Sequence, residues 1–179
     1  MSDLDNENAG DKNHPGKNID AQVDKHYKNL MAALKKIPMF HGLTMDQYRT
    51  ILAISIYRKY DEDTILFSAG DESEYVFILI QGGLKVVLSD GKAITRIDPP
   101  GIVGEMGVFT GQNRSATIIT TCDSIVLVIS RIRIMGIFKN DESFGIKILM
   151  NIIKDISDKI RRDNRMIEFL YHGEKISAE

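Results

Sequence analysis

The residues best suited to chemistry lie together in the segment Gly104–Ile118, which reads G-E-M-G-V-F-T-G-Q-N-R-S-A-T-I. The segment supplies a carboxylate from Glu105, a guanidinium from Arg114 and a hydroxyl from Ser115, and its glycines leave backbone N–H groups accessible. A carboxylate can accept hydrogen bonds from a diol, and a guanidinium can bind a phosphate through two parallel N–H donors. A short helical turn beginning near Gly107 would direct further N–H groups at the same anion. The segment therefore predicts a site for a small sugar phosphate.

The composition is typical of a folded domain without a dominant charge. The chain has 179 residues, of which 43% are hydrophobic and 27% charged, and its formal net charge is −2. This length accommodates one sizeable core, and the near-neutral charge argues against a dominant nucleic-acid surface. The single cysteine, Cys122, excludes an internal disulfide framework and fits a reducing compartment. Because no apolar run approaches the ~18 residues of a membrane span, and the first residues are polar and acidic, we expect a soluble cytoplasmic protein.

Four segments follow one another along the chain. Residues 1–18 contain almost nothing to bury, so we expect a disordered tail. Residues 19–140 are predicted to form N-terminal helices and then a strand-rich domain. Residues 141–171 are predicted to form a long C-terminal helix, which leaves 172–179 as a second tail.

Two helices are predicted ahead of the strands. The first runs from Ile19 to Ile37, where its helical periodicity stops before a proline. The second begins after Thr44, a good N-cap, because Gln47 stands three residues later and can complete a capping box.

Short strand-like segments separated by turn signals occupy the middle of the chain. The turn signals are Gly- and Pro-rich, as at Gly82-Gly83 and Pro99-Pro100-Gly101. Many short strands without intervening helices favour a mainly β fold, an antiparallel β-roll or jelly-roll-like barrel with flanking helices, over a doubly wound α/β fold. The predicted strands are Ile65–Phe67, Tyr75–Gln81, Leu84–Leu88, Ala93–Ile97, Ser115–Thr120 and Ser124–Ser130.

Helices are predicted again at the C-terminal end, a short one over Ile132–Lys139 and the long one that follows it. Apolar residues of the long helix alternate at spacings of four and three, which is a heptad pattern broken at Asp163. The pattern predicts a helix that pairs with a second copy as a homodimer. The residues of this pattern are Leu149, Ile153, Ile156, Ile160, Ile167 and Leu170.

Several motifs together resemble the cyclic-nucleotide-binding domain family, of the type found in the catabolite activator protein and in protein kinase A regulatory subunits. The segment Ile37-Pro38-Met39-Phe40, the pair Gly70-Asp71 and the run Tyr75–Gly82 resemble its helical and strand–turn–strand signatures. Gly104-Glu105 and Arg114-Ser115-Ala116 resemble the two ends of its phosphate-binding cassette. The resemblance covers about residues 37–170.

Two positions depart from the family pattern. Asp63 stands where the family usually has a glycine before its first paired strand, and the glycine of the turn before the cassette, Gly101, is displaced by one residue. Neither position is an expected ligand contact, so the departures concern loop geometry.

The resemblance implies roles for the cassette residues in binding a cyclic nucleotide. Arg114 would bind the exocyclic phosphate oxygens, Ser115 would donate its hydroxyl to the same phosphate, and Glu105 would accept from the ribose 2′-OH. Backbone amides at both ends of the cassette would add donors. The alternative is that Glu105 and Arg114 merely pair with each other on a surface loop. The complete set of expected ligand-binding residues is Val103, Gly104, Glu105, Met106, Gly107, Arg114, Ser115, Ala116 and Ser157.

The same resemblance implies that the C-terminal helix, residues 141–171, is a lid that closes over the base and recognises it. Ser157 could hydrogen-bond an adenine edge, whereas Asp158 or Asp163 could accept from a guanine edge, and all three could instead face solvent. We expect cyclic AMP as the ligand, with cyclic GMP or a cyclic dinucleotide as alternatives.

Three classes of function are compatible with such a domain. The first is a regulatory module without catalysis, in which ligand binding rearranges the C-terminal helix toward an unidentified protein partner. The second is a transcription regulator, which needs a helix-turn-helix after the long helix. Since only nine residues follow Leu170, we expect no DNA binding unless the chain is a fragment.

The third class is a jelly-roll metalloenzyme, which needs inward-facing histidines or carboxylates that the predicted strands lack. We therefore expect no metal, no membrane association and no enzyme activity.

Overall fold

The structure, a computed structural model, describes residues 15–88 and 90–176, with side chains over 25–88 and 90–171. Helices precede and follow a strand-rich middle, in the predicted order. The elements are α1 (Pro15–Lys36), a 3-10 turn (Pro38–Phe40), α2 (Met45–Ile54), β1 (Ile56–Tyr60), β2 (Ile65–Phe67), β3 (Tyr75–Gln81), β4 (Leu84–Val87), β5 (Ala93–Ile97), β6 (Gly101–Val103), α3 (Glu105–Thr110), β7 (Thr117–Thr120), β8 (Ser124–Ser130), α4 (Arg131–Asn140) and α5 (Glu142–Ile176).

The strands form two four-stranded antiparallel sheets with the orders β1-β8-β3-β6 and β2-β7-β4-β5. The predicted fold class, a β-roll with N-terminal helices and a long C-terminal helix, is confirmed. The sequence of strand β3 is a continuous apolar run, and the packing of the strand explains this pattern. Its side chains alternate between Val76 and Ile78, which pack against the helices, and Phe77 and Leu79, which pack between the sheets. The strand is therefore buried on both faces.

Two strands, β1 and β6, were not predicted. Strand β1 has the sequence I-Y-R-K-Y, lies at the edge of its sheet and is largely exposed, so it lacks an apolar alternation. Strand β6 has only three residues and directly follows Pro99-Pro100. Such short or charged edge segments acquire strand structure by pairing with a neighbour, which the local sequence does not encode.

Both tail boundaries need correction. Helix α1 begins at Pro15, so residues 15–18 are helical and do not belong to a disordered tail. Proline is favoured in the first helical turn because its missing N–H would have no intrahelical acceptor there. Helix α5 continues to Ile176, so residues 172–176 of the second predicted tail are helical as well. The rest of the predicted tails, residues 1–14 and 177–179, lies outside the described residues.

The predicted capping box starts α2. The Thr44 hydroxyl accepts from the Gln47 amide at 3.2 Å, and the Gln47 side-chain oxygen accepts from the Thr44 amide at 3.0 Å. The capping box is thus confirmed.

Helix α5 is fixed to the domain through its first half. The Asp141 carboxylate accepts from the Phe144 amide at 2.9 Å, and the Phe144 and Ile148 side chains are buried in the helical core. The Asn151 side chain donates to the carbonyls of Met39 and His41 at 3.0 and 2.8 Å. These contacts hold α5 against the 3-10 turn and direct the helix past the cassette.

The family departure at Asp63 has a conformational explanation. Asp63 adopts a φ of +57°, and among the described residues it is the one non-glycine with a positive φ. Aspartate tolerates this left-handed region better than most residues, and its carboxylate also pairs with Lys85 at 3.0 Å. The turn therefore keeps the backbone conformation that a glycine would supply.

Within the described part of the chain, every helix is too short or too polar to cross a lipid bilayer.

Candidate functional site

The cassette, residues 104–116, begins with a left-handed residue at the end of β6. Gly104 has a φ of +80° and precedes the first turn of α3, and a side chain at this position would collide with the Arg114 guanidinium. A side chain at Gly107 would collide with the hydroxyl of Ser73. Glycine is thus required at both positions because a side chain has no room there, and at Gly104 also because of the left-handed backbone conformation.

Arg114 closes the cassette and is buried, with only 6% of its surface exposed. Its Nη1 donates to the Gly104 carbonyl at 2.7 Å and its Nη2 to the Tyr75 carbonyl at 2.6 Å. The guanidinium lies over the Phe67 ring, 4.1 Å from its centroid, which is a cation–π contact. Backbone carbonyls and an aromatic face therefore fix the orientation of this cation.

One donor of Arg114 remains without a partner. Its Nε is buried and has no hydrogen-bond acceptor. Burial lowers the pKa of the guanidinium, and the carboxylates of Asp71 and Glu105 oppose this effect. A buried unsatisfied donor on a cation is costly, and an acceptor placed at the Nε would remove this cost.

Glu105, the first residue of α3, faces the same region. Burial is the largest influence on the Glu105 carboxyl and raises its pKa. A hydrogen bond from the backbone N–H of Glu105 and the positive charges of Lys159 and Arg114 lower this pKa, whereas the negative charge of Asp155 raises it. Among the described residues no ion pair of 4.0 Å or less joins Glu105 to Arg114. The structure therefore does not show the alternative arrangement, in which Glu105 and Arg114 merely pair with each other.

A single cavity of about 260 Å³ brings the predicted residues together. Every residue predicted from the cassette resemblance lines it, except Ser157 from the C-terminal helix. The cassette contributes the polar wall, the strands contribute an apolar floor, and Lys159 of α5 lies at its edge. The predicted lining residues are Val103, Gly104, Glu105, Met106, Gly107, Arg114, Ser115 and Ala116, and the floor consists of Phe67, Val86, Ile97, Ile102 and Ile118.

Ser157 does not line the cavity. Its hydroxyl donates to the Ile153 carbonyl one turn earlier, at 2.8 Å, and Asp158 and Asp163 are exposed. Lys159 lines the cavity instead and pairs with Asp155 at 2.8 Å. The sequence offered no signal for this, because an Asp–Lys pair four residues apart on a helix ordinarily belongs to a solvated face. Asp155 also raises the pKa of the Glu105 carboxyl.

The family comparison agrees with this geometry. Residues 57–141, which extend from β1 through the cassette to the end of α4, match the model of the cyclic nucleotide-binding domain. The resemblance to the cyclic nucleotide-binding domain family is thus confirmed over residues 57–141 of this chain.

Individual relatives are distant. A cAMP-dependent protein kinase regulatory subunit of Candida albicans is 22% identical over 156 residues, which cover 82% of this chain and 34% of the relative. The chain thus spans about a third of the length of this curated relative. Among solved structures, a cyclic nucleotide-binding domain from Methylobacillus flagellatus has a TM-score of 0.68 at 22% identity, covering 78% of this chain and 81% of that one. The regulatory domain of Toxoplasma gondii PKA, solved with cAMP, has a TM-score of 0.60 at 21% identity, covering 63% and 44%.

Proposed function

We propose that this protein is a cyclic-nucleotide sensor without catalytic activity, that its ligand is cyclic AMP, and that it transmits ligand binding through α5 to a protein partner. The observation that carries the proposal is the buried Arg114 guanidinium, which lines a cavity together with Glu105 and Ser115 and whose Nε has no hydrogen-bond partner. A cation, a carboxylate and a hydroxyl around one cavity match the phosphate and ribose of a cyclic nucleotide.

The phosphate would bind at the Arg114 end of the cavity. The Nε and one Nη of a guanidinium form the fork that binds two oxygens of one anion. Because both terminal nitrogens now donate to the Gly104 and Tyr75 carbonyls, bidentate binding would exchange one of these carbonyls for a phosphate oxygen. The exposed Ser115 hydroxyl and the amides of Met106, Gly107, Ser115 and Ala116 would add donors.

The ribose would bind at Glu105, whose carboxylate can accept from the 2′-OH. The base would lie against the apolar floor of the cavity, which suits a flat heterocycle. Cyclic AMP is favoured because the Toxoplasma gondii regulatory domain binds it in its crystal structure. Cyclic GMP stays as the second candidate, since the side chains above the floor do not distinguish the two purines.

Helix α5 would couple the cavity to the rest of the molecule. Lys159 and Asp155 act on the Glu105 carboxyl, so a ligand that takes this carboxyl as its ribose acceptor changes the electrostatic environment of α5. A shift of the helix requires that the ligand bind one helix position more tightly than the other. These contacts supply a route for such a difference.

A homodimer through α5 is part of the proposal. Most of the predicted heptad residues are exposed and form an apolar stripe along α5, with Ile160 and Ile167 53% and 63% exposed, whereas Ile156 is partly buried. A helix of 35 residues extends about 52 Å at 1.5 Å per residue, well past a small β-roll. A second copy of the same stripe is its simplest partner.

Calorimetric titration of the purified chain with cyclic AMP, cyclic GMP and a cyclic dinucleotide tests the proposal. We expect saturable binding of cyclic AMP by the wild type and none by Arg114→Gln, while circular dichroism shows that the variant is folded. Absence of binding for all three ligands would refute the sensor function. Binding of cyclic GMP alone would refute only the choice of base.

A further inference from the structure

An open groove of about 750 Å³ lies away from the cassette, between α1, α2 and β1. Its floor is apolar and is formed by Leu30, Leu52 and Leu127, two of which belong to the buried core. Its sides include Tyr27 and Tyr57, whose surfaces are 40% and 38% exposed. The groove therefore offers aromatic and aliphatic surface that solvent can reach.

Strand β1 forms one side of this groove and is the edge strand of its sheet. Tyr57 pairs with Leu127 of β8, and Tyr57 and Lys59 both line the groove, as residues two apart on one strand do. The His26 ring packs edge-on against Tyr57 with 5.5 Å between centroids. An extended or helical segment can thus lie along β1 against these side chains.

The charges around the groove are of one sign. Among the residues whose side chains the structure describes, Arg49 and Lys59 line it together with His26, and no carboxylate does. Arg49 pairs with Asp46 at 2.7 Å, outside the lining, whereas Lys59 makes no ion pair with any residue that the structure describes. An unpaired cation such as Lys59 beside exposed apolar surface suits a partner that presents a carboxylate beside apolar side chains.

We propose that this groove binds an acidic amphipathic segment of a partner protein. The apolar side chains of the segment pack between Tyr27 and Tyr57, and a carboxylate of the segment pairs with Lys59, while Arg49 stays paired with Asp46. This site is separate from the cassette and does not depend on the function proposed for it.

A second copy of this chain is a poor occupant. One group of exposed apolar residues lies at the end of α5, where Ile160 and Ile167 stand beside Arg161, Arg162 and Arg165. These arginines would meet Arg49 and Lys59, and like charges across an interface are unfavourable. An acidic segment avoids this repulsion.

The experiment uses two fluorescein-labelled helical peptides on the full chain, one built from Leu and Glu and the other with Lys in place of every Glu. Fluorescence polarisation should show that the Leu/Glu peptide binds at least about ten-fold more tightly than the Leu/Lys peptide, a difference of about 1.4 kcal/mol. Lys59→Glu should abolish or invert this preference. Arg58→Glu is the matched control, because it makes the same charge change at the preceding, exposed residue, which does not line the groove.

Several results would overturn the proposal. The proposal is wrong if the chain binds neither peptide, if it binds both equally tightly, or if Lys59→Glu and Arg58→Glu change the affinity for the peptides equally. Residues 1–14 contain Leu4 among Asp3, Asp5 and Glu7, so the chain also carries an acidic segment of its own. If the Leu/Glu peptide binds only after residues 1–14 are deleted, this segment is the occupant and the partner proposal is wrong. Thermal denaturation followed by circular dichroism verifies that each variant is folded.

Discussion

The Nη1 of Arg114 donates to the carbonyl of Gly104 at 2.7 Å, and the guanidinium fills the space where a side chain at Gly104 would stand. The two ends of the cassette, ten residues apart in sequence, are therefore held together by one charged hydrogen bond. The left-handed backbone of Gly104 and the buried position of Arg114 are two parts of one arrangement, since each is possible only with the other in place.

The first prediction follows from that contact and concerns Gly104→Ala. A left-handed conformation at a non-glycine residue costs about 1–2 kcal/mol, and the new methyl group must also displace Arg114. We expect lower stability to urea and a loss of cyclic-nucleotide affinity. Gly91→Ala is the matched control, because Gly91 has a φ of +83° but open space around it. Equal stability losses and intact ligand binding in both variants would contradict the steric role of Gly104.

The second prediction concerns Arg114→Ala. Removing one partner of a buried charge-assisted contact with the phosphate should weaken ligand binding by about 2–5 kcal/mol. The Gly104 and Tyr75 carbonyls also lose their donors, which should destabilise the fold by about 1–3 kcal/mol for each carbonyl left unsatisfied. Arg114→Lys should bind ligand poorly as well, because an ammonium lacks the bidentate fork.

The control for Arg114 is Arg96→Ala, which removes an exposed guanidinium that pairs with Asp98 at 2.9 Å. Surface changes of this kind are usually within about 0.5 kcal/mol. Calorimetry and urea denaturation of the three variants provide the two measurements. Wild-type affinity in a folded Arg114→Ala protein would show that the phosphate binds elsewhere.

The third prediction concerns the ribose. If Glu105 accepts from the 2′-OH, Glu105→Ala should weaken binding of cyclic AMP but scarcely change binding of its 2′-deoxy analogue. Glu72→Ala, an exposed carboxylate outside the cavity, should leave both affinities unchanged. Equal losses of the two ligands in Glu105→Ala would assign Glu105 to the phosphate or to the structure of the cassette instead.

The fourth prediction is a pH dependence of stability. Burial raises the pKa of Glu105 in the folded state above its ordinary value of 4.5. Between these two pKa values the folded state binds more protons than the unfolded state, so the stabilising contribution of Glu105 is complete below 4.5 and is lost as pH rises through the folded pKa. Glu105→Gln should therefore flatten the stability profile in this window. Urea denaturation from pH 4 to pH 8 compares the variant with the wild type, and superimposable profiles would rule out this contribution.

The fifth prediction concerns the α5 stripe. Ile160→Lys combined with Ile167→Lys places charges on the apolar stripe and should convert a dimer to a monomer. Met166→Lys combined with Phe169→Lys is the matched control, since both residues are exposed but lie on other faces of the helix. Light scattering with and without cyclic AMP reports the mass. A wild-type monomer under both conditions would eliminate the dimer, and equal dissociation by both pairs would show that the stripe is not the interface.

The β-roll and the cassette could be inferred from the sequence because their signals are local. Strands β3 and β8 are continuous apolar runs between turn residues, and Gly104, Glu105, Arg114 and Ser115 lie within twelve positions of one another. Local spacing sufficed to place these side chains around one cavity, since a single turn of helix and one loop connect them. The family model and the fold of the solved relatives confirm the β-roll and the family resemblance.

What the tertiary structure alone decided involves contacts between segments distant in sequence. Lys159, rather than Ser157, reaches the cavity because Asn151 anchors α5 to Met39 and His41, more than one hundred residues earlier, and this contact sets the rotation of the helix. Arg114 meets the Tyr75 carbonyl because β3 and the cassette pack together. Helix rotation and the pairing of short edge strands depend on the whole core, whose energy is summed over many weak contacts, and therefore leave no signal in the local sequence.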